Sequence, residues 1–177
     1  MKVTETKLPG VLIIEPEIFG DKRGFFKENF QVKRYKEIGI DQNFVQDNCS
    51  RSQKGVLRGL HFQITKPQGK LVSCLKGAVF DVVVNIDQTS VTYGQYLGLE
   101  LTEDNHKQLW IPPGYAHGFC VLSEIADFHY KCTDYYDPYD ESGVIWNDKT
   151  LAIDWPINNP FLSNKDSSLP KLSELHL

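Results

Sequence analysis

Hydrophobic and polar residues alternate one by one in several stretches of the chain, as they do in a β-strand that buries one face. Three stretches show this most regularly: residues 80–86, 97–102 and 126–133. In the first, the even-numbered residues from Phe80 to Ile86 form an apolar face beside Asp81. In the last, the apolar face includes Tyr130, whose hydroxyl then needs a polar partner or a chemical task. The pattern predicts three strands and the apolar face of each.

Other segments rich in aromatic and β-branched residues, separated by turn residues, are also predicted as strands. They are residues 11–15, 24–29, 44–50, 56–63, 70–75, 108–111, 117–122 and 143–146. Helix is scarce: residues 30–38 are predicted to make two turns ended by Gly39, and residues 169–177 another short piece. Many short strands with turns between them are typical of an all-β sandwich, jelly roll or barrel.

Length and composition narrow the class of protein. A chain of 177 residues without linker or repeat is predicted to fold as a single domain, residues 1–177. Its net charge of −4 argues against nucleic-acid binding. Its apolar runs are too short to span a membrane, and the N-terminus lacks a signal-peptide pattern. The four cysteines form no CxxC pair, so they are predicted to be reduced and semi-buried in a cytoplasmic protein.

Two histidines, His61 and His117, lie in predicted strands beside glycine and aromatic residues. Residues 113–117, together with the preceding Pro112, read P-x-G-x-x-H, which resembles the second motif of the cupins, a family of jelly-roll barrels. In the first cupin motif a second histidine and a glutamate usually bind a metal, but here Gln63 replaces that histidine and the glutamate is missing. Because a catalytic metal needs about three protein ligands, the prediction is a cupin-type jelly roll (double-stranded β-helix) with a few short peripheral helices and no metal.

A histidine without a metal can act as a general base, because imidazole titrates near neutrality. Lys70 follows His61 closely and would stabilise a developing oxyanion, while the Tyr130 hydroxyl would supply a proton. Together they suit proton abstraction next to a carbonyl group. From residue type alone, a solvated strand-edge lysine is the favoured interpretation of Lys70, and the simpler interpretation of Tyr130 is a core tyrosine with a satisfied hydroxyl.

Nine sequence blocks run nearly from end to end: residues 23–28, 45–48, 56–63, 68–72, 108–112, 114–119, 130–136, 145–148 and 162–166. In this order they resemble the dTDP-4-dehydrorhamnose 3,5-epimerase family. The resemblance implies a cofactor-independent isomerase of dTDP-L-rhamnose biosynthesis. It would invert C3 and C5 of dTDP-4-dehydro-6-deoxy-D-glucose to give dTDP-4-dehydro-L-rhamnose.

The resemblance also implies a role for each matching residue. His61 would be the base that removes the protons from C3 and C5, and Asp166 would fix its tautomer. Lys70 would stabilise the enolate oxygen at C4, and Tyr130 would return a proton from the opposite face. Further substrate-contacting positions match at Arg23, Phe26, Glu28, Gln46, Asn48, Arg58, His117, Tyr136, Glu141 and Lys165.

The family is dimeric, and its N-terminal segment reaches into the partner's site. The resemblance therefore implies a homodimer in which Arg23, Phe26 and Glu28 serve the other subunit's substrate. Simpler interpretations are that Arg23 and Glu28 form a solvated surface ion pair and that Asp166 belongs to a turn within residues 163–168.

The spacing of Arg58 and His61 does not fit a regular strand if both residues belong to one site. Arg58 and His61 differ by three positions, so regular alternation would put them on opposite faces of a strand. Both face one cavity only if the strand is irregular, and Gly59 is the predicted position of a bulge.

Three alternative functions stay open. The first is an epimerase that inverts only one carbon, usually C3, of a related dTDP-4-keto-6-deoxyhexose. The second is a metal-dependent cupin, which the missing second histidine disfavours. The third is a non-catalytic nucleotide-sugar-binding jelly roll, although binding alone needs neither an acid nor a base.

Overall fold

The computed structural model describes residues 1–175 and consists mainly of β-strands and the turns between them. The strands are β1 (Lys2–Glu5), β2 (Leu12–Glu15), β3 (Ile18–Asp21), β4 (Gly24–Lys27), β5 (Gln46–Gln53), β6 (Leu57–Gln63), β7 (Lys70–Lys76), β8 (Ala78–Asn85), β9 (Tyr96–Thr102), β10 (Gln108–Ile111), β11 (Tyr115–Val121), β12 (Ile125–Cys132) and β13 (Glu141–Gly143). The helices are α1 (Val32–Glu37), α2 (Asn164–Ser167) and a 3₁₀ helix (Leu172–Glu174).

Two antiparallel sheets face each other. The six-stranded sheet has the order β1-β2-β10-β7-β12-β5, and the five-stranded sheet the order β13-β6-β11-β8-β9. Val72 and Phe128 of the six-stranded sheet share one buried apolar cluster with Val83 and Phe119 of the five-stranded sheet. Strands β3 and β4 form a separate hairpin. The prediction of an all-β, cupin-type jelly roll with short peripheral helices is confirmed.

The outer face of the five-stranded sheet is covered by the chain after β13, where Trp155 and Leu172 pack with Val82. Strand β8 is therefore buried on both faces. Its even-numbered side chains meet this outer layer, whereas Asp81 and Val83 point between the two sheets. The single apolar face predicted for residues 80–86 was incomplete, because alternation cannot show that a second layer covers the sheet.

Most predicted strands are present with shifted ends, but of the predicted strand 143–146 only Gly143 lies in a strand. Strand β13 ends at Gly143, because the Ile145 N–H donates to the Pro170 carbonyl instead of continuing the ladder. Strands β1 and β3, with four residues each, were not predicted.

The predicted helix at residues 30–38 is present in a shorter form as α1. Gly39 follows it with a φ of +89°, the left-handed conformation expected of a glycine after a helix. The predicted tail segment contains the 3₁₀ helix, while residues 176–177 lie outside the described residues.

The four cysteines are all free; three are buried and Cys49 is exposed, whereas all four were predicted to be semi-buried. Cys49 differs because β5 is the edge strand of its sheet. Within residues 1–175, no helix has the length and apolar character needed to cross a membrane.

Candidate active site

A cavity of about 390 Å³ opens between the two sheets. Eleven of the fourteen predicted site residues line it. They are His61, Lys70, Tyr130, Asp166, Gln46, Asn48, Arg58, His117, Tyr136, Glu141 and Lys165. Residues that are distant in sequence therefore converge on one space, as the resemblance implied.

His61 enters the cavity from β6 of the five-stranded sheet and is paired with Asp166 of α2. His61 Nε2 lies 2.5 Å from Asp166 Oδ1, in hydrogen-bond contact. The Ser163 hydroxyl donates to Asp166 Oδ2 at 2.8 Å and accepts from the Asp166 N–H at 3.0 Å. Asp166 is thus both part of a local capping turn, as its simpler interpretation had it, and the partner of His61.

The environment of Asp166 favours its charged form. Burial by itself would raise the pKa of this carboxyl group, but the hydrogen bonds from His61 and Ser163 outweigh it, and the pKa lies below the ordinary 3.8. A carboxylate in this position orients the imidazole and stabilises the imidazolium that forms when His61 accepts a proton.

On its other side, His61 faces an acidic network. His61 Nδ1 lies 3.7 Å from Glu141 Oε1. Glu141 Oε2 accepts a 2.6 Å hydrogen bond from the Tyr136 hydroxyl and is paired with the ammonium group of Lys165. That hydrogen bond and burial raise the pKa of Tyr136 to about 12, so its hydroxyl stays protonated.

Lys70 and Tyr130 enter the cavity from the opposite, six-stranded sheet. Strands β7 and β12 are adjacent, with Tyr130 opposite Val72 and Lys70 two positions further along. Their side chains are therefore diagonal neighbours on one face. Across the cavity from them lies His61, so the candidate base is separated from the candidate cation and phenol.

Lys70 is only 9% exposed, so the interpretation as a solvated strand-edge lysine is wrong. Burial lowers the pKa of Lys70, although the nearby Cys132 thiol and the carboxylates Glu141 and Asp81 act against the shift. Burial also raises the pKa of Tyr130, which keeps the phenol protonated at neutral pH. The two residues thus provide a desolvated lysine side chain and a proton donor.

The predicted irregularity at Gly59 is confirmed. The register between β6 and β11 shifts between the pairs His117–His61 and Phe119–Arg58. Gly59 has a φ of +119°, and a Cβ atom there would lie 2.6 Å from the Gly118 Cα. The shift brings Arg58 and His61 to the same cavity, where Arg58 Nε donates to the Ser52 hydroxyl at 3.1 Å.

His117 has a buried partner that the sequence did not reveal. Its Nε2 lies 2.8 Å from Oδ2 of Asp81, which is fully buried on β8. The imidazole stacks on Phe128 with a centroid distance of 6.0 Å. A charged residue inside the apolar run of β8 was the only available signal for Asp81, and it pointed to no particular partner.

Three predicted site residues do not reach this cavity. Arg23 lies in the β3–β4 hairpin and pairs with Asp21, while Glu28 pairs with Arg34 at 3.0 Å. The proposed surface pair of Arg23 with Glu28 is therefore wrong. Phe26 of β4 is 67% exposed. Nothing within residues 1–175 brings these side chains to the His61 cavity.

The arrangement of the possible metal ligands can also be examined in the structure. Within residues 1–175, no three His, Cys, Asp or Glu side chains group as metal ligands. Gln63, at the position of the second cupin histidine, does not line the cavity, and its amide is bonded to main chain.

Comparisons with known proteins agree on one family. The model of the family described as dTDP-4-dehydrorhamnose 3,5-epimerase matches residues 5–174. A protein of that name from Shigella flexneri is 53% identical over 168 residues, covering 94% of this chain and 93% of the relative. A dTDP-4-dehydrorhamnose 3-epimerase from Streptomyces niveus is 40% identical, covering 98% of this chain and 85% of that protein.

A solved structure resembles this fold over nearly its whole length. It is a dTDP-6-deoxy-D-glucose-3,5-epimerase from Legionella pneumophila in complex with dTDP-4-keto-L-rhamnose. The TM-score is 0.97 at 54% sequence identity, covering 99% of this chain and 94% of that one.

Proposed function

The chain belongs to the dTDP-4-dehydrorhamnose 3,5-epimerase family, and from this premise we propose that it is an isomerase that inverts C3 and C5 of dTDP-4-dehydro-6-deoxy-D-glucose. The product is dTDP-4-dehydro-L-rhamnose, in the biosynthesis of dTDP-L-rhamnose. The observation that carries this proposal is the opposition of the His61–Asp166 pair to Lys70 and Tyr130 across one cavity.

The proposed reaction is two rounds of proton transfer next to the C4 ketone. His61 Nδ1, the ring nitrogen that is not bonded to Asp166, accepts the proton of C3 or C5, and the electrons of the broken C–H bond move to the C4 oxygen. Asp166 stabilises the imidazolium, and Lys70 stabilises the enolate oxygen. Tyr130 then donates its hydroxyl proton to the carbon from the opposite face. Collapse of the enolate restores the ketone with the centre inverted. Before the second round, the His61 imidazolium releases its proton to solvent and the Tyr130 phenolate takes one from solvent, so both residues return to their starting forms.

Cations at the cavity suit the diphosphate of a nucleotide sugar. Arg58 offers a planar guanidinium, and Lys165 a mobile point charge. His117, which also lines the cavity, is the third residue that we assign to the sugar and phosphate region. Tyr136 is half-exposed at the mouth and is the proposed platform for the thymine ring.

Inversion of both carbons is favoured over inversion of one. The relative and the solved structure at 53% and 54% identity are named 3,5-epimerases, whereas the 3-epimerase is 40% identical. Both reactions use the same base, cation and acid, so product analysis has to separate them.

We also propose that the protein is a homodimer in which the β3–β4 hairpin completes the partner's site. The hairpin exposes Phe19, Phe25 and Phe26, which are 56%, 59% and 67% accessible. Exposed aromatic side chains clustered on one hairpin are typical of an interaction surface. This arrangement would bring Arg23, Phe26 and Glu28 to the substrate of the second copy.

We propose a cytoplasmic location for the single-domain enzyme. Support comes from its four free cysteines and from the nucleotide-linked substrate.

The decisive experiment is proton NMR of the substrate with the protein in D₂O. Loss of the C3 and C5 proton signals in wild type, but not in His61→Ala, is the expected result. Exchange at C3 alone would indicate the one-carbon epimerase. No exchange at either carbon would contradict the proposal, and the metal content of the purified protein would then distinguish a metal-dependent cupin from a binding module.

A further inference from the structure

We propose that Gln63 is a positioning residue for nucleotide binding, which acts by holding the main chain of the loop that carries Tyr136. Gln63 itself does not line the cavity. This role of Gln63 rests on the proposed function in one respect, because it requires that Tyr136 contacts the nucleoside. It concerns affinity for the nucleotide and leaves the proton transfers to other residues.

The Gln63 carboxamide is buried, and both its nitrogen and its oxygen are hydrogen-bonded. Its side chain is at the end of β6 and is only 5% exposed. Nε2 donates to the Lys66 carbonyl at 2.8 Å and to the Tyr135 carbonyl at 3.3 Å. Oε1 accepts from the Asp137 N–H at 2.9 Å. One side chain therefore bonds to the residues before and after Tyr136 and ties them to the turn that follows β6.

Two other glutamines complete a clamp on the same four consecutive residues, 134–137. Gln68 Nε2 donates to the Asp134 carbonyl at 2.8 Å. Gln46 Oε1 accepts from the Tyr136 N–H at 2.8 Å. Gln46 and Gln68 line the cavity, whereas Gln63 does not. Gln63 is therefore the member of the clamp that can be changed without altering a side chain next to the substrate.

The loop has little apolar packing to hold it in place. Tyr135, Tyr136 and Tyr139 are 65%, 48% and 98% exposed. A loop with exposed side chains keeps its conformation mainly through its main-chain hydrogen bonds. Removing the Gln63 amide would leave the Asp137 N–H and two carbonyl groups without their protein partner. The loop would then sample more conformations, and binding would have to order it again.

Glu141 depends on the same loop, because it begins β13 only four positions after Asp137. Its register partner in β6 is Gln63 itself. Asp140 accepts hydrogen bonds from the Thr65 and Lys66 N–H groups at 2.9 Å each. Hydrogen bonds from both Asp140 and Gln63 thus join the turn after β6 to the loop before β13. Gln63 is the buried residue of this contact.

The test compares three variants with wild type. Gln63→Met keeps the length and apolar packing of the side chain but removes every hydrogen bond. Gln63→Glu keeps an acceptor for the Asp137 N–H but places an oxygen against the Lys66 and Tyr135 carbonyls. Gln53→Met, at the exposed end of edge strand β5, is the matched control. Thermal melts identify any variant that fails to fold.

We expect the Kd for dTDP and the KM for the sugar nucleotide to rise about tenfold in Gln63→Met, with kcat within about twofold of wild type. Amide hydrogen exchange should accelerate at Tyr136 and Asp137 and stay unchanged in β7 and β11. In Gln63→Glu, binding relative to wild type at the same pH should recover as the pH falls, because a protonated carboxyl group donates again. The Gln53→Met control should match wild type throughout.

Two results would overturn the inference: an unchanged Kd, KM and loop exchange in Gln63→Met, or a fall in kcat at unchanged KM. The measurements also separate the two proposals. If wild type binds dTDP but does not epimerise the sugar, the proposed function fails while dTDP affinity still tests Gln63. If wild type binds no dTDP, the proposed function and the role of Gln63 in nucleotide binding both fail.

Discussion

The interior cavity and the β3–β4 hairpin both carry predicted site residues, but they hold them in different ways. In the cavity, His61, Lys70 and Asp166 are held by buried hydrogen bonds or by the two sheets themselves. On the hairpin, Arg23 is hydrogen-bonded to Asp21, two positions earlier on the same hairpin, and Phe26 faces solvent. The cavity is formed within one chain, whereas the hairpin contributes to a site only if a second copy of the chain packs against it.

The largest expected effect comes from a substitution in the interior cavity. Replacing His61 with alanine should lower kcat by about 10³-fold, because it removes the imidazole that accepts the substrate proton. The measurement is steady-state epimerisation followed by NMR, with dTDP binding as the control for an intact site. Near wild-type turnover in this variant would contradict the proposed mechanism.

Two glycines with positive φ allow a matched test of packing in the two regions. A Cβ at Gly59 would lie 2.6 Å from the Gly118 Cα, whereas at Gly24 of the hairpin nothing lies within 4 Å. Gly59→Ala should therefore lower the free energy of unfolding by about 2–4 kcal/mol, and Gly24→Ala by only about 1 kcal/mol from backbone strain. Urea denaturation measures both, and equal losses would show that packing around Gly59 does not restrict the bulge.

The hairpin itself is tested by complementation. Arg23→Ala should lower kcat/KM about tenfold or more if the guanidinium contacts the partner's substrate. Co-expressing it with His61→Ala should restore about one quarter of wild-type activity, because half of the dimers are mixed and one of their two sites is intact. If the mixture is no more active than Arg23→Ala alone, the hairpin does not serve the other subunit.

The smallest expected effect is the pH dependence that Asp166 adds to stability. Its pKa in the folded protein is lowered, so its contribution is present above the unfolded pKa and is lost as the pH falls through the folded value. Asp166→Asn should show a shallower loss of unfolding free energy on acidification than wild type. The control is Asp154→Asn, whose exposed carboxyl group should leave the acid slope of the wild type unchanged.

Much of the fold and most of the residues that line the candidate site could be predicted from the sequence. Alternation over residues 126–133 identified the face of Tyr130, and the P-x-G-x-x-H motif indicated the jelly roll. The need for a bulge followed from the spacing of Arg58 and His61, and it occurs at Gly59. Local patterns work for these features because strand geometry repeats every two residues and glycine has a distinct steric freedom.

Other features depend on contacts between distant segments. The pairing of His117 with Asp81, the second layer over β8 and the three glutamines on residues 134–137 join positions far apart in the chain. The sequence by itself determined which residue types and which strand faces were available. Only the tertiary structure decided which side chains meet, because a buried polar group bonds to whatever the packing brings within about 3 Å.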